Sequence, residues 1–81
     1  MRVRVLFFGR LRDIVGQPEE SIELPEPCRI EDLFSRCRER HPELAPYRSS
    51  VVASRNREFA PWSASLAAGD EIAFLPPVSG G

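Results

Sequence analysis

Alternating apolar and polar side chains predict strands near both ends of the chain and in its second half. At residues 2–8, Val3 and Val5 fall on one side of an extended segment, while Leu6 and Phe8 fall on the other. Aliphatic and aromatic enrichment supports the same assignment. By the same pattern, further strands are predicted at residues 20–24, 51–54, 58–60 and 71–75.

A longer period predicts one main helix at residues 30–41. Its apolar side chains recur at the spacing of a single helical face: Ile30, Leu33, Phe34 and Cys37. Pro42 cannot continue a helix and ends it. Arg29 is a poor N-cap, so the start of this helix is weakly specified.

The connecting segments have simpler signals. Residues 9–16 form a short turn with helical spacing, which Gly16 terminates. Residues 43–50 are predicted as loop. Asn56-Arg57 is predicted as the turn between the third and fourth strands.

The order of these elements predicts an α+β fold of the β-grasp (ubiquitin-like) class. A mixed sheet of four to five strands would wrap over the one main helix, with the first and last strands parallel at its centre. The 81 residues suffice for one small domain. We therefore divide the chain into a β-grasp domain at residues 1–75 and an extended tail at residues 76–81.

Strand alternation also predicts a partner surface. Phe8 and Leu75 fall on the face opposite the core, and they would lie close together if the first and last strands are neighbours. Phe59 would join them in an exposed apolar patch, a feature that marks interaction sites. The alternative is a second small cluster under the loop that carries Trp62.

Composition and charge exclude several function classes. The net charge is −1, which argues against a nucleic-acid partner. All 11 basic residues are Arg, so the chain has no Lys amine for Schiff-base chemistry or for isopeptide acceptance. No apolar run reaches the roughly 20 residues of a membrane span, so no membrane partner is expected. Cys28 and Cys37 form no C-x-x-C pair. We expect reduced thiols and a cytoplasmic protein.

The side chains offer no conventional active site. The single histidine, His41, is predicted to be a solvated residue at a helix end, and Cys37 a small core residue. The carboxylates are scattered, and neither a phosphate-binding glycine motif nor a metal-ligand set is present. Any chemistry must therefore lie elsewhere in the chain.

The C-terminal residues supply that chemistry. The tail contains no side chain larger than valine or proline: Pro76, Pro77, Val78, Ser79, Gly80 and Gly81. The two prolines lack N–H groups and favour an extended backbone, and six extended residues reach about 20 Å. Such a tail can enter a narrow channel and deliver the Gly81 carboxylate at its tip, provided that this carboxylate is first activated. We predict that the tail is not ordered without a partner.

The chain resembles the small subunits of molybdopterin synthase, a family of ubiquitin-like sulfur carriers. The resemblance covers essentially the whole chain. It rests on the following motifs: Val5-Leu6-Phe7-Phe8-Gly9, Arg12-Asp13, Gly16, Ile30-Glu31-Asp32-Leu33, Leu66, Gly69-Asp70-Glu71-Ile72-Ala73-Phe74 and Pro76-Pro77-Val78-Ser79-Gly80-Gly81.

This resemblance implies a cycle of carboxylate activation and sulfur transfer. An adenylating enzyme similar to ubiquitin-activating enzymes would use ATP to convert the Gly81 carboxylate to an acyl-adenylate, and a sulfurtransferase would supply sulfur to give a thiocarboxylate. The tail would then enter the large subunit of molybdopterin synthase. There the sulfur would pass to cyclic pyranopterin monophosphate and build the dithiolene. Catalytic side chains would sit on that large subunit, and this chain would bind no cofactor.

Three alternatives remain open from the sequence. The sulfur could go to the thiazole of thiamine or to a tRNA base. The chain could be a ubiquitin-like protein modifier, although the absence of Lys excludes chains built on itself. It could also be a β-grasp interaction module without chemistry of its own.

Overall fold

A computed structural model describes residues 1–76. Its five strands are β1 (Arg2–Phe7), β2 (Glu19–Glu23), β3 (Val52–Arg55), β4 (Glu58–Ala60) and β5 (Glu71–Leu75). The helices are α1 (Gly9–Val15), α2 (Ile30–Arg40) and a 3₁₀ helix (Pro42–Tyr47). The strands form one sheet in the order β2-β1-β5-β3-β4.

The sheet has the predicted β-grasp arrangement, with β1 and β5 parallel at its centre. Val5 pairs with Ile72, and Phe7 pairs with Phe74. All four side chains are buried on the face toward α2. The neighbouring pairs β1–β2, β5–β3 and β3–β4 are antiparallel, which makes the sheet mixed as expected.

The apolar face of α2 packs into the core as its period predicts. Ile30, Leu33, Phe34 and Cys37 are all buried. The Phe34 ring meets Phe74 edge-on at 5.2 Å between centroids, a favoured geometry for aromatic pairs. The helix therefore covers the two central strands.

The start of α2 is fixed by groups that the sequence did not reveal. The Asp32 carboxylate accepts a hydrogen bond from the Arg29 backbone N–H at 2.9 Å. The Ile30 and Glu31 N–H groups donate to the carbonyls of Ala64 and Trp62. These bonds satisfy first-turn N–H groups that would otherwise lack partners. The weakly specified start expected from Arg29 is therefore not what the structure shows.

Three expectations in the middle of the chain need correction. The segment predicted as loop, residues 43–50, largely overlaps the 3₁₀ helix Pro42–Tyr47, in which Leu44 is fully buried in the core. His41 is not a freely solvated residue, because its Nε2 lies 3.6 Å from Glu20 Oε2 and both side chains are largely covered. The helix ends one residue earlier than predicted, at Arg40.

The β3–β4 turn is held by Asn56. Asn56 and Arg57 have φ of 51° and 72°, as a tight two-residue hairpin turn requires. The Asn56 amide donates to Asp70 Oδ1 at 3.0 Å, and its carbonyl oxygen accepts the Glu71 N–H at 3.0 Å. One side chain thus ties the hairpin to the turn that precedes β5.

Replacing Asn56 tests this tie. We expect Asn56→Ala to lower the free energy of unfolding by about 2 kcal/mol, because two hydrogen bonds are lost and alanine must adopt a left-handed backbone. That loss corresponds to about 10 °C in thermal midpoint for a domain of this size. Asn56→Gly, which tolerates the backbone angle, should lose about half as much. Equal losses in the two variants would show that the backbone angle contributes nothing.

Candidate functional site

The outer face of the sheet, opposite α2, is divided into two halves. The half around β2 and β1 carries ion pairs that span neighbouring strands. Arg2 lies 3.2 Å from Glu23, and Arg4 pairs with both Glu71 and Glu19. The hydrogen bond from Arg4 to Glu71 raises the pKa of Arg4 further above its ordinary value. These charges are satisfied within the chain.

The other half is apolar, and we call it the outer apolar patch. Its members come from β1, β3, β4 and β5 and the residue after β1: Leu6, Phe8, Val52, Phe59, Ala73 and Leu75. Phe8, Val52 and Phe59 are 43%, 48% and 80% exposed, respectively. Large apolar side chains exposed together on one face indicate a surface that another molecule covers.

Strand register accounts for how the patch is assembled. Leu6 pairs with Ala73, Ala73 pairs with Ser54, and Ser54 pairs with Phe59, so these residues lie in one row across the sheet. In the next row, Leu75 pairs with Val52. Phe8 follows β1 directly, one position beyond the pairing of Phe7 with Phe74. The structure thus places Phe8, Phe59 and Leu75 on a common face.

Val52 belongs to the patch but is not among the predicted interface residues. The sequence has adjacent valines, and the predicted strand begins at Val51. In the structure Val51 is buried just before β3, and Val52 points outward. The pairing of Ala53 with the core residue Phe74 sets this phase. In the sequence, the only local signal that Val52 points outward is the polar Ser54 two positions later.

The alternative, a second small cluster under the Trp62 loop, does not account for these residues. Trp62 packs on the core side, stacked on Phe74 at 5.8 Å and edge-on to Phe34 at 5.3 Å. The guanidinium of Arg48 covers its ring at 3.7 Å. A shallow groove lined by Val52, Phe59 and Trp62, among others, continues the patch around the β4 edge.

The patch lies where the chain leaves the sheet. Leu75 is the last residue of β5 and a member of the patch, and Pro76 follows it. The predicted tail-insertion residues Pro77, Val78, Ser79 and Gly80, together with Gly81, lie outside the described residues. The prediction that the free tail is not ordered also falls on these residues. The structure describes the tail only at its point of departure, Pro76.

The two thiols are structural. Burial raises the pKa of Cys37 to about 12, and burial also raises the pKa of Cys28. A thiol is nucleophilic only as its thiolate, so neither cysteine is activated. Within residues 1–76, no group of three His, Cys, Asp or Glu side chains could hold a metal ion. In the same part of the chain, no helix is long and apolar enough to cross a membrane.

Comparison with known proteins finds relatives that share the sequence and the fold of this chain. Residues 5–81 match the ThiS family. A molybdopterin synthase sulfur carrier subunit from Chlamydomonas reinhardtii is 34% identical, and the match covers 100% of both chains. A Pyrococcus furiosus structure assigned as molybdopterin converting factor subunit 1 has a TM-score of 0.87 and 32% identity, covering 96% of this chain and 99% of that one.

SAMP1 from Haloferax volcanii has a similar fold, with a TM-score of 0.89 and 26% identity over 100% of both chains. The fold, the outer apolar patch and the full-length sequence match therefore all agree with membership of one family. The chain belongs to the ThiS family, and relatives that match it over their full length include molybdopterin synthase sulfur carrier subunits.

Proposed function

We propose that this protein is the sulfur carrier subunit of molybdopterin synthase and that its reactive group is the carboxylate of Gly81. The observation that carries the proposal is the position of the outer apolar patch at the end of β5. A surface that binds a partner there holds the root of the tail in a fixed place. Full-length similarity to sulfur carrier subunits supports the same function.

The reaction begins with activation of the carboxylate. An adenylating enzyme similar to ubiquitin-activating enzymes uses ATP to form the Gly81 acyl-adenylate and releases pyrophosphate. A sulfurtransferase then supplies sulfur at the oxidation level of sulfide, which attacks the carbonyl carbon and displaces AMP, so that Gly81 carries a thiocarboxylate. Glycine suits both steps because no Cβ obstructs approach to the carbonyl carbon. These steps belong in the cytoplasm, where ATP is available and the two unpaired cysteines stay reduced.

The large subunit of molybdopterin synthase is the partner for the second half of the cycle. Phe8, Phe59 and Leu75 contact it, and residues 76–81 enter its active site. Sulfur passes there from Gly81 to cyclic pyranopterin monophosphate, and water restores the carboxylate. The carrier contributes binding and delivery, and the partner contributes acid–base groups. The relatives' name, which describes them as one subunit of a synthase, supports this division.

The proposal is tested by the mass of the C-terminal peptide. The protein is incubated with ATP, an adenylating enzyme and a sulfur donor, and then digested. We expect one oxygen to be replaced by sulfur at Gly81, only when ATP is present. An unchanged terminus with a competent enzyme would contradict the carrier function and leave the interaction module. Amide adducts on other proteins in the same reaction would indicate a protein modifier.

Alkylation of the folded protein provides a sharper readout. We expect iodoacetamide at neutral pH to label the sulfur-loaded protein once, at Gly81, and to leave the unloaded protein unlabelled. Cys37 and Cys28 are buried and their raised pKa values keep them as thiols, whereas a thiocarboxylate is ionised. Intact mass before and after labelling measures this. Both cysteines should react in denaturant, and labelling of either one in the folded protein would contradict the prediction.

A further inference from the structure

Gly9 and Pro76 are in close contact where the tail begins. Gly9 has a φ of +55°, and a Cβ built on it would lie 2.9 Å from Pro76 Cγ. Real side chains do not approach one another that closely. The proline ring therefore occupies the space that a side chain at position 9 would need.

The topology brings these two residues together. β1 and β5 run in parallel, and Phe7 pairs with Phe74 as the last pair of the ladder. Pro76 has no N–H and cannot extend this ladder. On the other strand, Gly9 turns the chain into α1. The contact thus lies where both central strands leave the sheet.

We propose that Gly9 is a positioning residue for sulfur transfer: its bare Cα seats the Pro76 ring and sets the direction in which the tail leaves the domain. This inference rests on the proposed function. Phe8 and Leu75, the sequence neighbours of the two residues, belong to the outer apolar patch. The seat therefore couples the direction of the tail to the surface that binds the partner.

A small change in the direction of the chain at the Gly9–Pro76 contact becomes a larger displacement of the C-terminal carboxylate. Five residues reach at most about 17 Å, so for a tail held straight by the partner's channel, as the proposed function requires, a deflection of about 10° at Pro76 would move the terminal carboxylate by about 3 Å. Misplacing a reacting group by about 1 Å can cost about 100-fold in rate. Docking through the patch would be unaffected, because Gly9 contributes no side chain to it.

A simpler role for Gly9 must be separated from this one. Glycine at φ +55° also avoids the backbone strain of an L-residue. Gly16 is a matched control, because it has a φ of +87° and a Cβ there would meet nothing within 4 Å. Gly16→Ala introduces the same kind of strain without touching the tail. The difference between Gly9→Ala and Gly16→Ala therefore isolates the contact with Pro76.

The test uses the full chain with four variants: Gly9→Ala, Gly16→Ala, Pro76→Ala and the double variant Gly9→Ala/Pro76→Ala. We expect Gly9→Ala and Gly16→Ala each to lower the thermal midpoint by about 5 °C. In sulfur transfer with the large subunit, measured on protein that already carries the thiocarboxylate, Gly9→Ala should lower kcat by at least about 100-fold relative to Gly16→Ala, with KM little changed. Pro76→Ala should also lower kcat, because it removes the ring that contacts Gly9. In the Pro76→Ala background, which lacks Cγ, Gly9→Ala should cost less than about twofold.

Equal kcat values for Gly9→Ala and Gly16→Ala would overturn the proposal, as would an undiminished Gly9→Ala effect in the Pro76→Ala background. A structural measurement separates this failure from a failure of the proposed function. In NMR spectra of the protein without partners, we expect contacts between the Gly9 α-protons and the Pro76 ring, with ring shifts that change in Gly9→Ala but not in Gly16→Ala. Absence of those contacts would overturn the seat even if Gly81 is sulfurated normally.

Discussion

Phe8→Asp is expected to weaken binding of the large subunit about 100-fold while leaving the fold intact. The side chain is an exposed aromatic residue of the outer apolar patch, directly after the end of β1. Truncating such an anchor commonly costs about 2 kcal/mol or more, and burying a carboxylate without a partner adds to that loss. About 2.8 kcal/mol corresponds to 100-fold in Kd.

This position separates binding from folding because Phe8 is also the N-cap of α1. It has an extended backbone, with φ −123° and ψ 155°, and its side chain makes no capping bond. Aspartate is among the preferred N-cap residues and contributes about 1 kcal/mol there. That gain offsets the modest packing energy of a ring that is already half exposed. We therefore expect the thermal midpoint of Phe8→Asp to stay within about 4 °C of the wild type.

Ser21→Asp is the matched control for this experiment. Ser21 is exposed on β2, opposite Arg4, in the charged half of the same sheet face. It receives the same added charge outside the patch, so its Kd for the large subunit should change less than about threefold. Calorimetry on the three proteins measures both Kd values and midpoints. Equal weakening by Phe8→Asp and Ser21→Asp would show that net charge, and not the patch, governs binding.

The face on which Phe8 and Leu75 lie could be predicted from sequence because strand alternation is local. Val3, Val5 and Phe7 take one face of β1, so their neighbours must take the other. The parallel pairing of β1 with β5 then follows from the order of elements. No long-range information is needed to bring these two residues together.

Other features could not be predicted because they depend on contacts distant in sequence. The start of α2 is held by the carbonyls of Trp62 and Ala64, which lie far along the chain beyond the helix and β4. The covering of His41 by Glu20 requires β2 to lie beside the end of α2. The seat of Pro76 on Gly9 joins residues from opposite ends of the chain. None of these pairs leaves a periodic signal.

The 3₁₀ helix Pro42–Tyr47 shows a different limit. Two prolines in this short segment argue against an α-helix, and the sequence pattern therefore favours a loop. A 3₁₀ helix is short, and Pro42 is placed at its start, where no N–H bond is needed. Leu44 provides the reason for the turn, since it is fully buried against the core. A single apolar side chain in a segment is not enough to show a helical period in the sequence.

Deletion of Gly81 is expected to abolish sulfur transfer, by at least about 1,000-fold, while binding of the large subunit changes little. Every buried apolar side chain of the described residues lies within residues 1–75, so the fold does not depend on the terminal residue. The outer apolar patch is also complete without it. The shortened tail would present its carboxylate about 3.5 Å short of the reacting position. Proximity and orientation supply several orders of magnitude of rate, and they are lost at that separation.

Gly81→Ala distinguishes length from chemistry in this prediction. It keeps the reach of the tail and adds only a Cβ beside the carboxylate, so we expect transfer to fall by about ten- to a hundredfold, much less than on deletion. Thiocarboxylate formation, dithiolene formation and Kd are measured on the same three proteins. If the deletion also weakens binding strongly, the tail contributes docking energy as well as sulfur, and the assignment of binding to Phe8, Phe59 and Leu75 fails. If the deletion transfers sulfur normally, the terminal residue is not the reactive group, and the carrier mechanism proposed for Gly81 is wrong.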